Sequence, residues 1–267
     1  MNSNSPRPGM GVLNLQEDSP KFRLTRHTPS GELSFFVKHY WIVRWELEEG
    51  ETHLQEVIPN PCVNLVVERN KSAIFGPSRH KFTHLLQGRG CVFGVKFKPG
   101  GFYPFFRQPA SSWTGRPLEV SSVFGGDPRA LEESILLQSE ERRMIELAEA
   151  LIRPYLPPQD GKVALLQTIV ERIMQDREMT RVDHIAGAFG LSVRRLQRLF
   201  HQYVGLTPKW VIQLYRLQNA AEAIEQGRHG DALKLSVELG YHDQAHFIKA
   251  FKSVVGRTPD QYAKETG

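Results

Sequence analysis

The sequence predicts an α+β protein, with a β-rich, barrel-like N-terminal domain and trailing helices. An all-α C-terminal domain of two helix-turn-helix units joined by a long helix is expected to follow. Aromatic and β-branched runs punctuated by Pro and Gly indicate strands in the first part of the chain. Apolar residues at helical spacing indicate helices after residue 128. The segment 200–208 returns in similar form at 251–259, which indicates a duplicated unit.

The charge balance is mildly basic and uneven along the chain. The 267 residues carry a formal net charge of +5, and residues 181–267 hold 12 Lys or Arg against 8 Asp or Glu. This excess fits a polyanionic partner. Cys62 and Cys91 are the two cysteines and form no CxxC pair, so neither a disulfide framework nor a cysteine zinc cluster is predicted. We expect inert buried thiols, with a redox sensor as the alternative.

The remaining composition predicts a cytoplasmic protein. No apolar run reaches the roughly 18 residues that a transmembrane helix needs. The N-terminus lacks the apolar core of a signal peptide, and residues 1–20 are interpreted as a disordered arm.

Residues 21–157 are predicted to form one β-rich domain with C-terminal helices. The segments Phe35–Trp45, Cys62–Glu68 and Cys91–Lys98 have the composition of strands, and a small barrel or a sandwich is the expected packing. The helical pattern over 129–153 would either pack on this domain or pair two chains in a homodimer. Pro157–Gly161 is the predicted boundary, because proline cannot continue a helix.

Residues 162–267 are predicted to be helical throughout. A helix is expected over Lys162–Gln175, and Thr180–Asp183 has the pattern of a capping box that opens a helix over Arg181–Phe189. Gly190 would end it, and Ser192 would cap the next helix, over Val193–Tyr203.

The long helix and the second unit follow the same local rules. Thr207–Pro208 opens a helix that is expected to reach Gln226. Asp231 is expected to cap a helix to Leu239, and Asp243 one to Val255, while Thr258–Gln261 is a further capping box.

The outward residues of the two units suggest that they read DNA. In a helix-turn-helix the second helix enters the major groove, where Arg and Gln can pair with base edges. Spacing buries the apolar residues and leaves these side chains outward: Arg194, Arg195, Gln197 and Arg198 in the first unit, and Gln244, Ala245, His246, Lys249 and Lys252 in the second. A connecting helix of about 19 residues spans about 28 Å. This is close to the roughly 34 Å between successive major grooves on one face of DNA.

The C-terminal part resembles the AraC/XylS family of bacterial transcription regulators over about residues 165–262. The resemblance rests on Ile185-Ala186, Gly190, Ser192, Leu196, Arg198, Phe200, Gly205-x-Thr207-Pro208, Arg216-Leu217, Ala220, Gly240-Tyr241, Phe247, Phe251, Gly256-x-Thr258-Pro259 and Tyr262. Ser236 replaces the usual alanine of the second supporting helix. The stretch His246–Lys249 lacks the arginine that is commoner there, which bears on the base preference of the second unit.

This resemblance implies a DNA-binding transcriptional regulator that acts on double-stranded promoter DNA and RNA polymerase, within the bacterial cytoplasm at the nucleoid. It maps base reading onto Arg194, Gln197, Arg198, Gln244, Ala245, His246 and Lys249. Phosphate contacts are expected from Ser192, Arg195, His201 and Lys252.

The N-terminal half is expected to act as a sensor domain for a small-molecule effector. Gly94–Gly101 and Phe102–Phe106 resemble a signature of one poorly characterised sensor-type domain of such regulators. The aromatic residues Tyr40, Trp41, Trp45, Phe102 and Tyr103 would line a pocket or belong to the core.

Two other functional classes are weighed against the regulator. One is a cupin-like metal or small-molecule enzyme with an accessory helical domain, for which His53, His80 and His84 would be ligands; the HxH core of that motif is missing. The pair His242 and His246 also has ligand spacing but lacks a third ligand. The other is a DNA-binding adaptor without an effector. Since no catalytic motif occurs, neither enzymatic activity nor a cofactor is expected.

Overall fold

The computed structural model describes residues 12–13, 21–227, 236–237, 241 and 243–266. The strands are β1 Val12–Leu13, β2 Phe22–His27, β3 Val37–Glu46, β4 Thr52–Val57, β5 Asn64–Val67, β6 Ala73–Phe75, β7 Phe82–Gln87, β8 Arg89–Phe97 and β9 Pro117–Leu118. The helices are α1 Leu33–Phe36, α2 Tyr103–Phe106, α3 Ser121–Phe124, α4 Pro128–Leu136, α5 Glu141–Ile152, α6 Gly161–Gln175, α7 Val182–Ala188, α8 Val193–Leu199, α9 Pro208–Glu225, α10 Gln244–Val255 and α11 Pro259–Thr266.

The strands form two antiparallel sheets instead of the predicted barrel-like closure. One sheet has six strands in the order β2-β3-β8-β5-β6-β9, and the other has three in the order β1-β4-β7. Among the described strands, β2 and β9 are the unpaired edges of the larger sheet, and β4 pairs with β7 instead of extending it. The domain is therefore an open two-sheet sandwich. Of the two packings expected from the sequence, a small barrel and a sandwich, the structure has the second.

One face of the six-stranded sheet forms the core of the N-terminal domain. Tyr40 and Ile42 on β3 and Phe93 and Val95 on β8 are fully buried, which follows from the two-residue period of a strand. Helices α4 and α5 cover this face, with Ile135, Met144, Ala148 and Ile152 in the same cluster. The helices predicted over 129–153 therefore pack on their own sheet.

The opposite face of the same sheet lines a cavity beneath the three-stranded sheet. Trp41 and Trp45 alternate with the core residues of β3 and lie on this side. A Cβ atom at Gly94 would lie 2.0 Å from Cε2 of Trp41, so only glycine lets this indole lie flat on β8.

In the helical domain, the described residues include the whole first helix-turn-helix unit and the second helix, α10, of the other expected unit. The first consists of α7 and α8, and α8 continues as a π-helical turn over Phe200–Val204. Gly205 ends this segment with a φ of +79°, a left-handed conformation that favours glycine. Helix α9 then leads to the second unit, in which Gly256 ends α10 in the same way with a φ of +88°. The helix predicted over Asp231–Leu239 lies outside the described residues, apart from the helical Ser236 and Val237.

Most of the predicted helix caps are confirmed. The side chains of Ser192, Thr207 and Asp243 accept hydrogen bonds from the first turns of α8, α9 and α10. Thr258 and Gln261 form the reciprocal pair of a capping box, with bonds of 3.0 and 3.2 Å.

The capping box predicted at Thr180–Asp183 is wrong. Arg181 occupies the N-cap position without a side-chain cap bond. The Asp183 carboxylate pairs instead with the Arg181 guanidinium at 2.7 Å. This bidentate pair engages the carboxylate that would have reached back to the backbone.

Part of the segment predicted as a disordered arm forms a strand. Val12 and Leu13 pair with Val57 and Glu56 as β1. The other residues of 1–20 lie outside the described part of the chain.

We predict that Gly94→Ala destabilises the N-terminal domain by about 1–3 kcal/mol, because the added methyl group must displace the Trp41 indole. Urea unfolding followed by tryptophan fluorescence measures the effect. The matched control is Gly187→Ala on α7, where an added Cβ meets no heavy atom within 4 Å. It should be neutral or stabilising by up to about 1 kcal/mol. Equal stability of Gly94→Ala and the native chain would contradict this account.

Candidate nucleic-acid interface

Helix α8 is held by its apolar side against the rest of the first unit. Leu196 and Phe200 are fully buried in one cluster with Ile185 and Ala186. The Ser192 hydroxyl accepts the backbone N–H of Arg195 at 3.2 Å and fixes the start of the helix. Because the packing side is fixed, the direction of the opposite side is fixed as well.

The opposite side of α8 is exposed and cationic. The side chains of Arg194, Arg195, Gln197 and Arg198 all lie there. Three guanidinium groups and one amide within five residues of the helix form a surface that can pair with phosphates and with guanine or adenine edges.

His201 lies at one end of this surface and contacts the N-terminal domain. Its Nδ1 atom lies 3.2 Å from the Ser111 hydroxyl oxygen. The side chain is thus placed between the expected phosphate surface and the 3-10 turn over Ala110–Ser112.

Helix α10 presents the corresponding side of the second unit. Phe247, Ala250 and Phe251 are buried, and the Asp243 carboxylate caps the helix through the N–H groups of Ala245 and His246 at 2.7 and 3.3 Å. The predicted outward residues are all exposed: Gln244, Ala245, His246, Lys249 and Lys252. This face carries fewer cations than that of α8.

Helix α9 sets the separation of the two exposed faces. It has 18 residues and therefore spans about 27 Å. One side packs Val211, Ile212 and Tyr215 into the first unit, and another packs Leu214, Leu217 and Ala221 into the second. The Arg216 guanidinium lies 4.4 Å from the centre of the Tyr241 ring, which anchors the start of the second unit to this helix.

The first unit also contacts the N-terminal domain through a turn, 204–208, that we call the first docking turn. The Gly205 carbonyl accepts a hydrogen bond from the Thr114 hydroxyl at 3.1 Å. The Tyr103 and Tyr203 rings are in tilted contact, with ring centres 4.2 Å apart. The Gln167 amide on α6 donates to the Phe35 carbonyl at 2.9 Å.

The second unit contacts the N-terminal domain through the equivalent turn, 255–259, which we call the second docking turn. The Arg257 guanidinium lies 2.6 Å from the Glu56 carboxylate, whose other oxygen pairs with Lys81. The Glu56 side chain is only 4% exposed. Burial raises the pKa of Glu56, but the bonds from Lys81 and Arg257 outweigh it and hold this pKa below its ordinary value.

An apolar contact lies beside this ion pair. Ile58, which follows β4, is buried in the cluster formed by Leu214, Leu217 and Phe251 of the helical domain. The Gln218 amide donates to the neighbouring Pro59 carbonyl at 3.2 Å. Sequence reasoning missed these docking residues, since Glu56 and Arg257 are 201 residues apart and no local pattern links them.

The aromatic residues considered for a pocket divide among three environments. Trp41 and Trp45 line the cavity. Tyr40 and Phe102 are core residues, and Tyr103 lies against Tyr203 of the helical domain. The two roles expected from the sequence, pocket lining and core, therefore apply to different aromatic residues.

The histidines and cysteines form no metal-binding constellation in the described ranges. Groups of three or more His, Cys, Asp or Glu that could hold a metal ion do not occur there. His84 pairs with Glu68 at 3.1 Å, His53 lies against the Phe22 ring at 5.7 Å, and His242 lies outside the described residues. Burial raises the pKa of the Cys91 thiol, which disfavours the reactive thiolate.

None of the helices in the described part of the chain combines the length and the apolar character that spanning a membrane requires.

Comparison with known proteins identifies both halves of the chain. Residues 185–265 match the family model of a helix-turn-helix domain. Residues 25–119 match a domain of unknown function, DUF6597. Over 98 residues the chain is 30% identical to PqrA of Proteus vulgaris, a probable transcription factor; the match covers 37% of this chain and 79% of that protein. The chain belongs to the AraC family of helix-turn-helix transcriptional regulators.

Other relatives match over the same part of the chain. An HTH-type transcriptional regulator of Haemophilus influenzae is 29% identical over 96 residues, which are 36% of this chain and 32% of that protein. The chain thus matches about a third of the length of this relative. A solved structure of ToxT from Vibrio cholerae is 13% identical, covers 91% of this chain and 98% of its own, and has a TM-score of 0.41.

We predict that Glu56→Gln releases the second docking turn, because the change leaves Arg257 and Lys81 without their shared counter-charge. Breaking a buried pair of this kind costs about 3 kcal/mol. Hydrogen exchange of the segment around 251–262 should increase, without change in the core of β3 and β8. The matched control is Glu146→Gln, since the exposed Glu146 pairs with Arg142 and Arg143 on the outer side of α5. It should leave exchange unaltered.

The same contact should depend on pH. Because the pKa of Glu56 is lower in the docked protein than its ordinary value of about 4.5, its contribution is complete above that pH and is lost as the pH falls through the lower value. In the native chain, protection of the 251–262 amides relative to their intrinsic exchange rate should therefore fall below about pH 4.5. Glu56→Gln should not show this fall. An identical fall in both proteins would contradict the assignment.

Proposed function

We propose that this protein is a transcriptional regulator that reads DNA by inserting α8 and α10 into successive major grooves of one duplex. The observation that carries the proposal is the pair of exposed faces at the two ends of α9, each with a buried opposite side that fixes its direction. The roughly 27 Å along α9 is of the order of the roughly 34 Å between such grooves. Membership of the AraC family supports the same function.

The division of labour among the side chains follows from their chemistry. Arg194, Gln197 and Arg198 on α8, with Gln244, Ala245, His246 and Lys249 on α10, would contact base edges. Arg195 and Lys252 would pair with phosphates, together with Ser192 and His201 at the ends of α8. Phosphate pairing would supply much of the affinity, and base contacts the sequence preference.

The wider setting follows from the family. The protein would act by binding and not by catalysis, on promoter DNA in the bacterial cytoplasm at the nucleoid, with RNA polymerase as the partner. A homodimer and a small-molecule effector of the N-terminal domain stay predictions. Sedimentation of the full chain with and without DNA tests the first of these.

The proposal is tested by selecting bound duplexes from a random DNA pool with the full chain at physiological salt. We expect an enriched site with two sequence blocks about one helical turn, roughly 10.5 base pairs, apart. Repeating the selection with Glu56→Gln separates docking from reading, because Glu56 lies on β4 and none of the outward side chains of α8 and α10 is changed. Binding without any enrichment, with an affinity that only falls with salt, would contradict sequence-specific reading.

Arg198→Ala should cost about 1–3 kcal/mol on the selected site and relax the preference at one base pair, because a bidentate base contact is lost. Lys252→Ala is the comparison, since the loss of a phosphate contact weakens binding to all sequences alike. It should lower the slope of log affinity against log salt concentration by about one. Binding titrations on the selected site and on single-base variants measure both effects. A uniform loss for Arg198→Ala would instead make Arg198 a phosphate contact.

A further inference from the structure

The cavity between the two sheets has the size of a small-molecule site. Its volume is about 400 Å³, which lies in the range of ligand pockets in proteins. Its floor is the face of the six-stranded sheet that carries Trp41, and its roof consists of β4 and β7 with Gln55, Val57 and Leu86. Most of its length is apolar, because Phe22, Val43, Val66, Phe75 and Val92 line the walls.

One end of the cavity is cationic. His39 on β3 and Asn64 on β5 both pair in register with Lys96 on β8, so the three residues form one row across the floor. Arg26 on the neighbouring β2 lines the same space. The acidic side chain among the lining residues is Glu68, which pairs with His84 at 3.1 Å.

Lys96 is the unsatisfied member of this row. In the described part of the chain its ammonium group has no hydrogen-bond or ion-pair partner, whereas Lys81, which also lines the cavity, pairs with Glu56. Burial and the nearby cations Lys38 and Arg26 lower the pKa of Lys96 to about 8. A half-buried cation without a counter-ion costs stability unless a bound anion supplies the missing charge.

His39 complements this cation. Burial, with Lys96, Lys38 and Arg26 close by, lowers its pKa to about 3. The imidazole is therefore neutral at physiological pH, and can donate one hydrogen bond without adding charge. The Asn64 amide, on the other side of Lys96, is a second neutral donor.

We propose that the cavity binds a small organic anion with an aromatic or aliphatic body, whose carboxylate or similar acidic group pairs with Lys96. The apolar body would lie on Trp41 along the cavity. This deepens the proposed function by giving the chemistry of its effector, but the binding step itself involves no DNA.

The test measures binding to the full chain by calorimetry and by thermal shift, in the absence of DNA. The probes are phenylpropionate, phenylbutyrate, indoleacetate and octanoate, each paired with its primary amide, which has nearly the same shape and no charge. At least one acid should bind about tenfold or more tightly than its amide, as expected for a charge-assisted hydrogen bond. Lys96→Met should remove this preference and leave amide binding unaltered, and Lys96→Arg should retain it.

Lys38→Met is the matched control, because it removes an equal charge one residue from His39 at a position that does not line the cavity. It should keep the preference for acids.

The melting temperature of Lys96→Met without ligand should equal or exceed that of the native chain, which separates a binding role from a structural one. Equal binding of acids and amides by the native chain, absence of binding by all four acids, or an unchanged preference for acids in Lys96→Met would overturn the proposal. If Lys96→Met does not fold, loss of the preference for acids in Lys96→Arg would overturn it. Failure of the DNA selection alone would affect only the proposed function.

Discussion

The two-residue alternation of β3 and β8 is the constraint on which the N-terminal half depends. One set of side chains, with Tyr40 and Phe93, is buried under α4 and α5, and this burial pins the register of the sheet. The other set, with Trp41 and Lys96, is thereby forced to face the opposite side. A polar residue on that side does not disturb the core, because the core lies on the other face. The sheet can therefore carry a cavity and a charged row on this face, because its core residues are buried on the other face.

The helical half depends more than the N-terminal half on local sequence signals such as helix-capping side chains. Ser192, Thr207 and Asp243 each start a helix at the position where the sequence places a capping side chain. Such bonds join residues two or three positions apart, so they can be predicted from the sequence. The failed capping box shows the limit of the same rule: Asp183 found a stronger partner in Arg181, and a pattern that lists residue types does not rank competing partners.

Features that join distant parts of the chain could not be predicted in this way. The exposed sides of α8 and α10 followed from helical spacing. The pairing of Glu56 with Arg257 did not, since no periodicity links the two residues. Likewise, β4 and β7 were not predicted as strands, and their mutual pairing decides between a closed barrel and an open sandwich. The residues of the cavity were predicted in part, because aromatic residues serve cores and pockets equally well.

The two docking turns are copies of one duplicated segment, and both face the N-terminal domain. Gly205 lies against Thr114, and Gly256 lies against Lys81. Since α9 packs against the clusters of both units, each contact raises the effective concentration of the other. The pair therefore holds more firmly than either contact alone, and loss of one weakens the grip on both. The duplication that gave the chain two similar segments therefore also gave it two contacts with the N-terminal domain.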